Sequence, residues 1–251
     1  MKPLFRLLIL CCLLATAGPA LAQLAPPDTA RGRYYQPVFA NVTTTSGVAY
    51  ATAPNYLGAA QTLTMDIYQP AGDTVKRRPL IIFAHQGGFL TGSKTDPYMV
   101  AICTRMARLG YVAASIDYRL GFPLTGFAQP ADTPGVAQAS IRGMQDMRAA
   151  VRFFRNDAAT AKNYRVHSNY IVVGGSSAGA FMALQTGYLD KASEVPAYVG
   201  LAALGGLEGS GGNAAYSSAV AAVLNLSGAL PASMRLGFSV APLRLSTAAT
   251  A

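Results

Sequence analysis

The 251 residues are 51% hydrophobic and only 12% charged, which excludes a largely disordered chain and leaves material for one large core. Twenty Lys and Arg against eleven Asp and Glu give a formal charge of +9. Two histidines and three cysteines are too few for a multi-histidine metal centre or a zinc ribbon, so no metal site is expected.

The chain opens with the marks of a segment that is removed. Lys2 and Arg6 form a basic start, Leu7 to Ala15 an apolar core, and Ala20-Leu21-Ala22 a small-residue cleavage site. Residues 1–22 are therefore expected to be a signal peptide, cleaved near Ala22, and the protein to be secreted or periplasmic. The apolar run, about 15 residues where about 20 span a bilayer, predicts no stable membrane anchor. Cys11 and Cys12 leave with it, and the formal charge falls from +9 to +7. Cys103 remains as a lone thiol, read as a small buried apolar residue rather than a reactive one.

From about Gly32 onward, strand-like and helix-like runs alternate, with no internal repeat and no linker, so residues 23–230 read as one domain. Gln61–Tyr68 alternates polar and apolar side chains, as an antiparallel strand with one wet face does. Pro79–Ala84, Tyr111–Ile116, Tyr170–Val173 and Ala221–Leu226 are short continuous apolar runs, the pattern of strands buried on both faces. The first two strands are expected to form an antiparallel edge. A helix is predicted from the Asp96-Pro97 cap to a stop at Gly110, a second over Val136–Asn156 and a third over Ala178–Leu189. The order predicts an α/β fold: a mostly parallel sheet with helices on both faces. The arginines read as scattered rather than as a nucleic-acid patch, and Arg148 and Arg152, four apart, as a solvated helix face.

Two motifs carry chemistry. Gly175-Ser176-Ser177-Ala178-Gly179 fits G-x-S-x-G between a buried strand and a helix, a tight turn that lifts the Ser177 hydroxyl as a nucleophile. There the Ala178 N–H points toward an incoming carbonyl oxygen. His85-Gln86-Gly87-Gly88-Phe89 follows the earlier strand and is similar to the HGGG motif of esterases and lipases. Its glycine N–H groups would complete an oxyanion hole, and such donors are worth about 3–4 kcal/mol each in a transition state.

On these two motifs, the chain resembles the α/β-hydrolases, in the branch of secreted carboxylesterases and lipases with an HGGG-type oxyanion loop. The likeness runs from about Thr62 to Gly228 and includes Asp117-Tyr118-Arg119-Leu120 after a strand and the helix around Asp146. The resemblance implies Ser177 as catalytic nucleophile, Gly87, Gly88 and Ala178 as oxyanion-hole donors, and His85 as support of the loop. It also implies cofactor-free hydrolysis of carboxylic esters through an acyl-enzyme, with a catalytic acid and then a histidine after the serine.

Here the sequence departs from that family. No histidine follows Ser177, and the only later acids are Asp190, Glu194 and Glu208. Asp190 and Glu194 sit just past the helix after Ser177, and Glu208 lies in a glycine-rich loop. His167 should stand roughly 15–20 Å from Ser177, at the other end of the strand. The segment from Pro231 onward shows no strand and no acid, and residues 231–251 are expected to be a non-native or disordered tail, by frameshift or truncation near Pro231 or as a natural short variant. Ala221–Leu226 is then expected as an apolar open sheet edge. The leading function is a serine ester hydrolase, impaired by the missing acid and base. Its substrate would be a small-molecule or polysaccharide-linked ester. The alternative is a non-catalytic secreted binding protein on the same scaffold. No nucleic-acid partner is expected, and oligomeric state is not legible. Gly121–Gly135, apolar and proline-rich, is the candidate cap over the entrance.

Overall fold

The computed structural model describes residues 25–123 and 133–229. The expected signal peptide, the 231–251 tail and most of the candidate cap lie outside the described residues.

Six strands form one sheet: β1 (Val42–Pro54), β2 (Ala60–Pro70), β3 (Arg78–Ala84), β4 (Val112–Ile116), β5 (Val166–Ser176) and β6 (Ala222–Leu226). Their spatial order is β1-β2-β4-β3-β5-β6. β4, β3, β5 and β6 are mutually parallel, while β2 runs antiparallel to both β1 and β4. This is the mostly parallel α/β sheet the resemblance implies. One detail differs. The antiparallel edge is β1 with β2, whereas Pro79–Ala84 lies in β3, a central parallel strand between β4 and β5. β1 gives little periodic signal because most of its Thr- and Ala-rich residues are exposed.

Three helices cover the sheet: α1 (Pro97–Leu109), α2 (Thr133–Ala159) and α3 (Ala178–Tyr188). Asp96 caps α1 by accepting a hydrogen bond from the Tyr98 N–H at 3.0 Å, and Gly110 ends it in the left-handed conformation at φ 107°. Every residue of β3 and β4 is buried, so both faces need a cover. Ile81 and Phe83 pack under α1 with Met99, Cys103 and Ala107; Leu80, Ile82 and Ala84 face α2 and α3 with Met147, Val151, Phe154 and Met182. Cys103 is fully buried, and burial pushes its thiol pKa well up, so little of the nucleophilic thiolate is present near neutrality.

Two charge readings are corrected. Arg148 and Arg152 are buried rather than solvated, because the loop before β6 folds over α2. Arg148 donates to the carbonyls of Leu207 and Leu189, and Arg152 to those of Gly211 and Gly212. Both pair with Glu208, at 3.0 and 2.5 Å. The second concerns the scattered cations: Arg105 and Arg108 share one end of the sheet with cations of other segments, while Arg119 and Arg142 lie at the other. Every connection that enters a parallel strand lies at one edge of the sheet, and the fold collects there the cations of residues 31–33, 76–78, 105–108 and 162–165.

β6 is the outer strand among the described residues. Its residues are half-buried or exposed, with Leu224 among the exposed ones, as expected of an open edge. No helix among the described residues is long and apolar enough to cross a membrane.

Candidate active site

At the end of β5 the chain turns abruptly into α3, and Ser177 occupies the bend. Its φ of 48° and ψ of −115° are strained for a side-chain-bearing residue, at a cost of about 1–3 kcal/mol. The surroundings hold it there. The Ser177 N–H donates to the Leu226 carbonyl of β6 at 3.0 Å, and its own carbonyl accepts from Ala180 and Phe181 at 2.9 and 3.0 Å. The Ser177 side chain is exposed and makes no capping hydrogen bond to α3, so the hydroxyl is free to meet a ligand.

The flanking glycines are required by contact rather than by φ. A Cβ on Gly179 would overlap the Ala84 oxygen and come within 2.6 Å of its carbonyl carbon and 2.9 Å of the His85 oxygen. A Cβ on Gly175 would reach 2.5 Å from the Gly179 oxygen and 2.7 Å from the Ala84 oxygen. The end of β3 therefore lies directly against the serine turn, and the loop that follows β3 rises beside it.

That loop contains Gly87 and Gly88. Gly87 sits at φ 127°, where a Cβ would collide with the Thr91 backbone; its carbonyl accepts from the Leu90 and Thr91 N–H groups at 3.0 and 3.1 Å. Gly88, at φ 62°, faces open space. Neither glycine N–H donates to a described residue. Ala178 is the first residue of α3, where a helix has no internal acceptor for its N–H. Serine turn and glycine loop are thus brought together, with the N–H groups of Gly87, Gly88 and Ala178 unspent among the described residues.

His85 faces away from this work. Its ring is buried and stacks on Tyr118 with centroids 4.3 Å apart, while Tyr118 Oη donates to the His85 carbonyl at 3.0 Å. Nδ1 lies 2.7 Å from the Gln86 carbonyl, which can only accept, so the neutral ring carries its proton on Nδ1. Nε2 is buried with no partner. His85 therefore packs beneath the loop against Tyr118. Burial lowers its pKa below the ordinary 6.5, partly opposed by the Gln86 carbonyl. The folded state thus resists a proton that the unfolded chain accepts near pH 6.5. Stability is fully present above that pH and declines as the pH falls through it. Urea midpoints should drop below pH 6.5 more steeply for this chain than for His85→Gln.

Sequence reasoning missed several residues that fix the loop. Gln86 donates from Nε2 to Asp96 Oδ2 at 2.8 Å, so the α1 cap also clamps the loop. The Lys94 N–H donates to Asp117 Oδ1 at 2.7 Å, and Ser115 Oγ to the Lys94 carbonyl at 2.8 Å. Arg119 forms a buried pair with Asp146: its Nε donates to both carboxylate oxygens at 2.8 and 3.0 Å, its backbone N–H donates at 2.8 Å, and Nη2 lies 2.7 Å away. The same guanidinium donates to the Pro54 and Arg142 carbonyls. Two residues on, the Gly121 N–H donates to the Phe89 carbonyl at 2.7 Å. The Asp-Tyr-Arg-Leu run thereby braces the glycine loop against α2. The sequence marked Asp96 as a cap and the Asp117–Leu120 run and Asp146 as part of the likeness, but not their bonds to one another or to the loop.

The other candidates lie elsewhere. His167 opens β5, where two steps of β3 (Arg78 to Leu80) face five of β5 (Val166 to Ile171). The extra residues loop out, and the Arg78–Ala84 span keeps His167 about 20 Å from the serine turn. His167 Nε2 instead lies 2.9 Å from the Ala25 carbonyl. Glu208 is held by Arg148 and Arg152, and Glu194 accepts from the Asp190 and Lys191 N–H groups. A cavity of about 660 Å³ lined by Arg148, Thr186, Glu208 and Tyr216 lies at the end of α3 remote from Ser177. Among the described residues no group of three or more His, Cys, Asp or Glu could hold a metal ion.

Residues 65–232 match the BD-FAE family. The chain belongs to that family. The matched span covers both the glycine loop and the serine turn of this BD-FAE chain. It is also 29% identical over 119 residues to gut esterase 1 of Caenorhabditis elegans and over 118 residues to that of Caenorhabditis briggsae. Each match covers 47% of this chain, which spans only 19% of the length of each of these relatives. Among solved structures, esterase 2 of Thermogutta terrifontis phosphorylated by paraoxon aligns at a TM-score of 0.52 and 24% identity. The alignment covers 73% of this chain and 57% of that one, and it places the BD-FAE chain in the α/β-hydrolase fold.

Proposed function

We propose that this chain is a secreted serine hydrolase of carboxylic esters, with residues 1–22 as its signal peptide and catalysis impaired in the chain as it stands. In this reading Ser177 Oγ attacks the ester carbonyl carbon. The carbonyl electron pair moves to oxygen, where the N–H groups of Gly87, Gly88 and Ala178 steady the charge. The Ser177 proton passes to solvent water or hydroxide, collapse expels the alkoxide, which takes a proton from water, and a water molecule then cleaves the acyl-enzyme to the acid and free serine. The observation that carries this reading is the contact of Gly175 and Gly179 with Ala84 and His85, which sets the exposed serine beside the glycine loop. The esterase relatives support the same chemistry.

The proton of Ser177 needs an acceptor. His85 is stacked beneath the loop and His167 is about 20 Å away, so neither serves. Loss of a triad costs on the order of a million-fold in turnover and leaves modest catalysis by the oxyanion donors. Small or polysaccharide-linked esters are the proposed substrates. The absence of a base within reach also favours a second reading, a non-catalytic binding protein on this scaffold. A serine-directed fluorophosphonate separates the two. A slow adduct confined to Ser177, abolished in Ser177→Ala, supports the impaired hydrolase. An adduct elsewhere, or none even on long exposure, supports the binder.

A further inference from the structure

We infer that the sheet edge opposite Ser177 is a binding surface for an acidic polysaccharide. The topology makes the surface. The residues before β1, the β2–β3 connection, the C-terminal end of α1 and the α2–β5 connection all meet at the edge where β3, β4 and β5 begin. Backbone hydrogen bonds tie the first of these to α1: the Tyr34 N–H donates to the Leu109 carbonyl at 2.7 Å and the Val38 N–H to the Arg108 carbonyl at 3.0 Å. Arg31, Lys76, Arg77, Arg105, Arg108 and Lys162 are exposed there, and none pairs with a carboxylate among the described residues.

The acids at this edge are already committed. Asp73 is gripped by both terminal nitrogens of Arg33, at 3.1 and 2.8 Å. Asp157 accepts from the N–H groups of Asn163 and Tyr164, and Asp28 from that of Ala30. Below the exposed cations, Arg78 is fully buried: its Nη2 donates to Gln69 Oε1 and the Tyr164 carbonyl, its Nη1 lies 3.9 Å from Asp73, and its Nε has no hydrogen-bond partner. Burial and the nearby Arg165 lower its pKa to about 10. The carboxylates of Asp28, Asp73 and Asp157 offset only part of this charge, so the edge carries a net positive field.

The shape selects the kind of polyanion. A cleft of about 600 Å³ between residues 28–39 and 72–75 is lined by Arg31, Arg33, Asp73, Phe39 and Val75. Tyr35 is 65% exposed in the same segment. The cleft is lined by Asp28 and Asp73 as well as Arg31 and Arg33, so the other free cations and the exposed Tyr35 ring stand around it rather than in it. An exposed ring beside exposed cations suits a sugar chain, whose C–H face stacks on an aromatic while its carboxylates or sulfates meet the cations. Duplex DNA and anionic vesicles, which cations alone can hold, offer no C–H face to the exposed ring and are the competing occupants.

Binding of the full chain to polygalacturonate, dextran sulfate, duplex DNA and phosphatidylglycerol vesicles tests this inference across a salt series. Retention on at least one of the two polysaccharides is expected, weakening as salt screens the contact, and the pair tells carboxylate from sulfate recognition. Lys76→Glu/Arg77→Glu and, separately, Lys162→Glu should each weaken it about tenfold or more at low salt, with melting curves unchanged because all three side chains are exposed. Ser177→Ala should bind as the parent does, so the result stands apart from the hydrolase reading. Absence of polysaccharide binding, tighter binding to DNA or vesicles, or indifference to these substitutions would overturn it.

Discussion

Gly179→Ala is expected to lower the free energy of unfolding by about 3–5 kcal/mol, in the range reserved for backbone overlap in a packed core. The added methyl would strike the Ala84 carbonyl and crowd the His85 oxygen, both of which are backbone and cannot swing aside. Relief requires the start of α3 to move away from β3, which also moves Ser177 away from Gly87 and Gly88. Gly88→Ala is the internal comparison. Its Cβ meets open space, so only the left-handed φ of 62° is penalised, at about 1 kcal/mol. Chemical denaturation of the two variants side by side measures the difference. Equal, small losses would mean that the serine turn and the end of β3 are not in contact.

Asp146→Ala should cost about 3–5 kcal/mol, because it strands the Arg119 guanidinium without its counter-ion in a site where both side chains are almost fully buried. Burial pushes the Asp146 carboxyl above its ordinary value, against the charge of Arg119 and the hydrogen bonds that Arg119 donates. Replacing both partners with leucine removes the stranded charge. It should still recover only part of the loss, since the Pro54 and Arg142 carbonyls also lose their donor. A double-mutant cycle on denaturation midpoints gives the coupling. A loss under about 1 kcal/mol for Asp146→Ala would place the pair in water.

The serine turn is legible in the sequence because it is local: a buried strand, two glycines that nothing larger could replace, and a helix follow one another without a gap. The α1 cap is legible for the same reason, as Asp96, Pro97 and Gly110 each act on their neighbours. β1 is harder to read, because an edge strand with little buried surface has no need of apolar alternation. Arg148 and Arg152 read as solvated because the loop that covers them arrives some 60 residues later in the chain. The basic edge is likewise assembled from four segments that share only the topology of a parallel sheet. His85 could be assigned to the loop from its motif, but its stacking on Tyr118 depends on a strand 30 residues away.

The most direct measurement is the pH dependence of fluorophosphonate labelling at Ser177, read by intact mass and peptide mapping. With the hydroxyl raised beside the amide donors and neither His85 nor His167 placed to take its proton, the single adduct should form slowly. Its rate should climb steadily with hydroxide, without a plateau near neutral pH. Rapid stoichiometric labelling that levels off around pH 7 would reveal a working histidine at the serine, and adducts on other residues would show that Ser177 is not the reactive group.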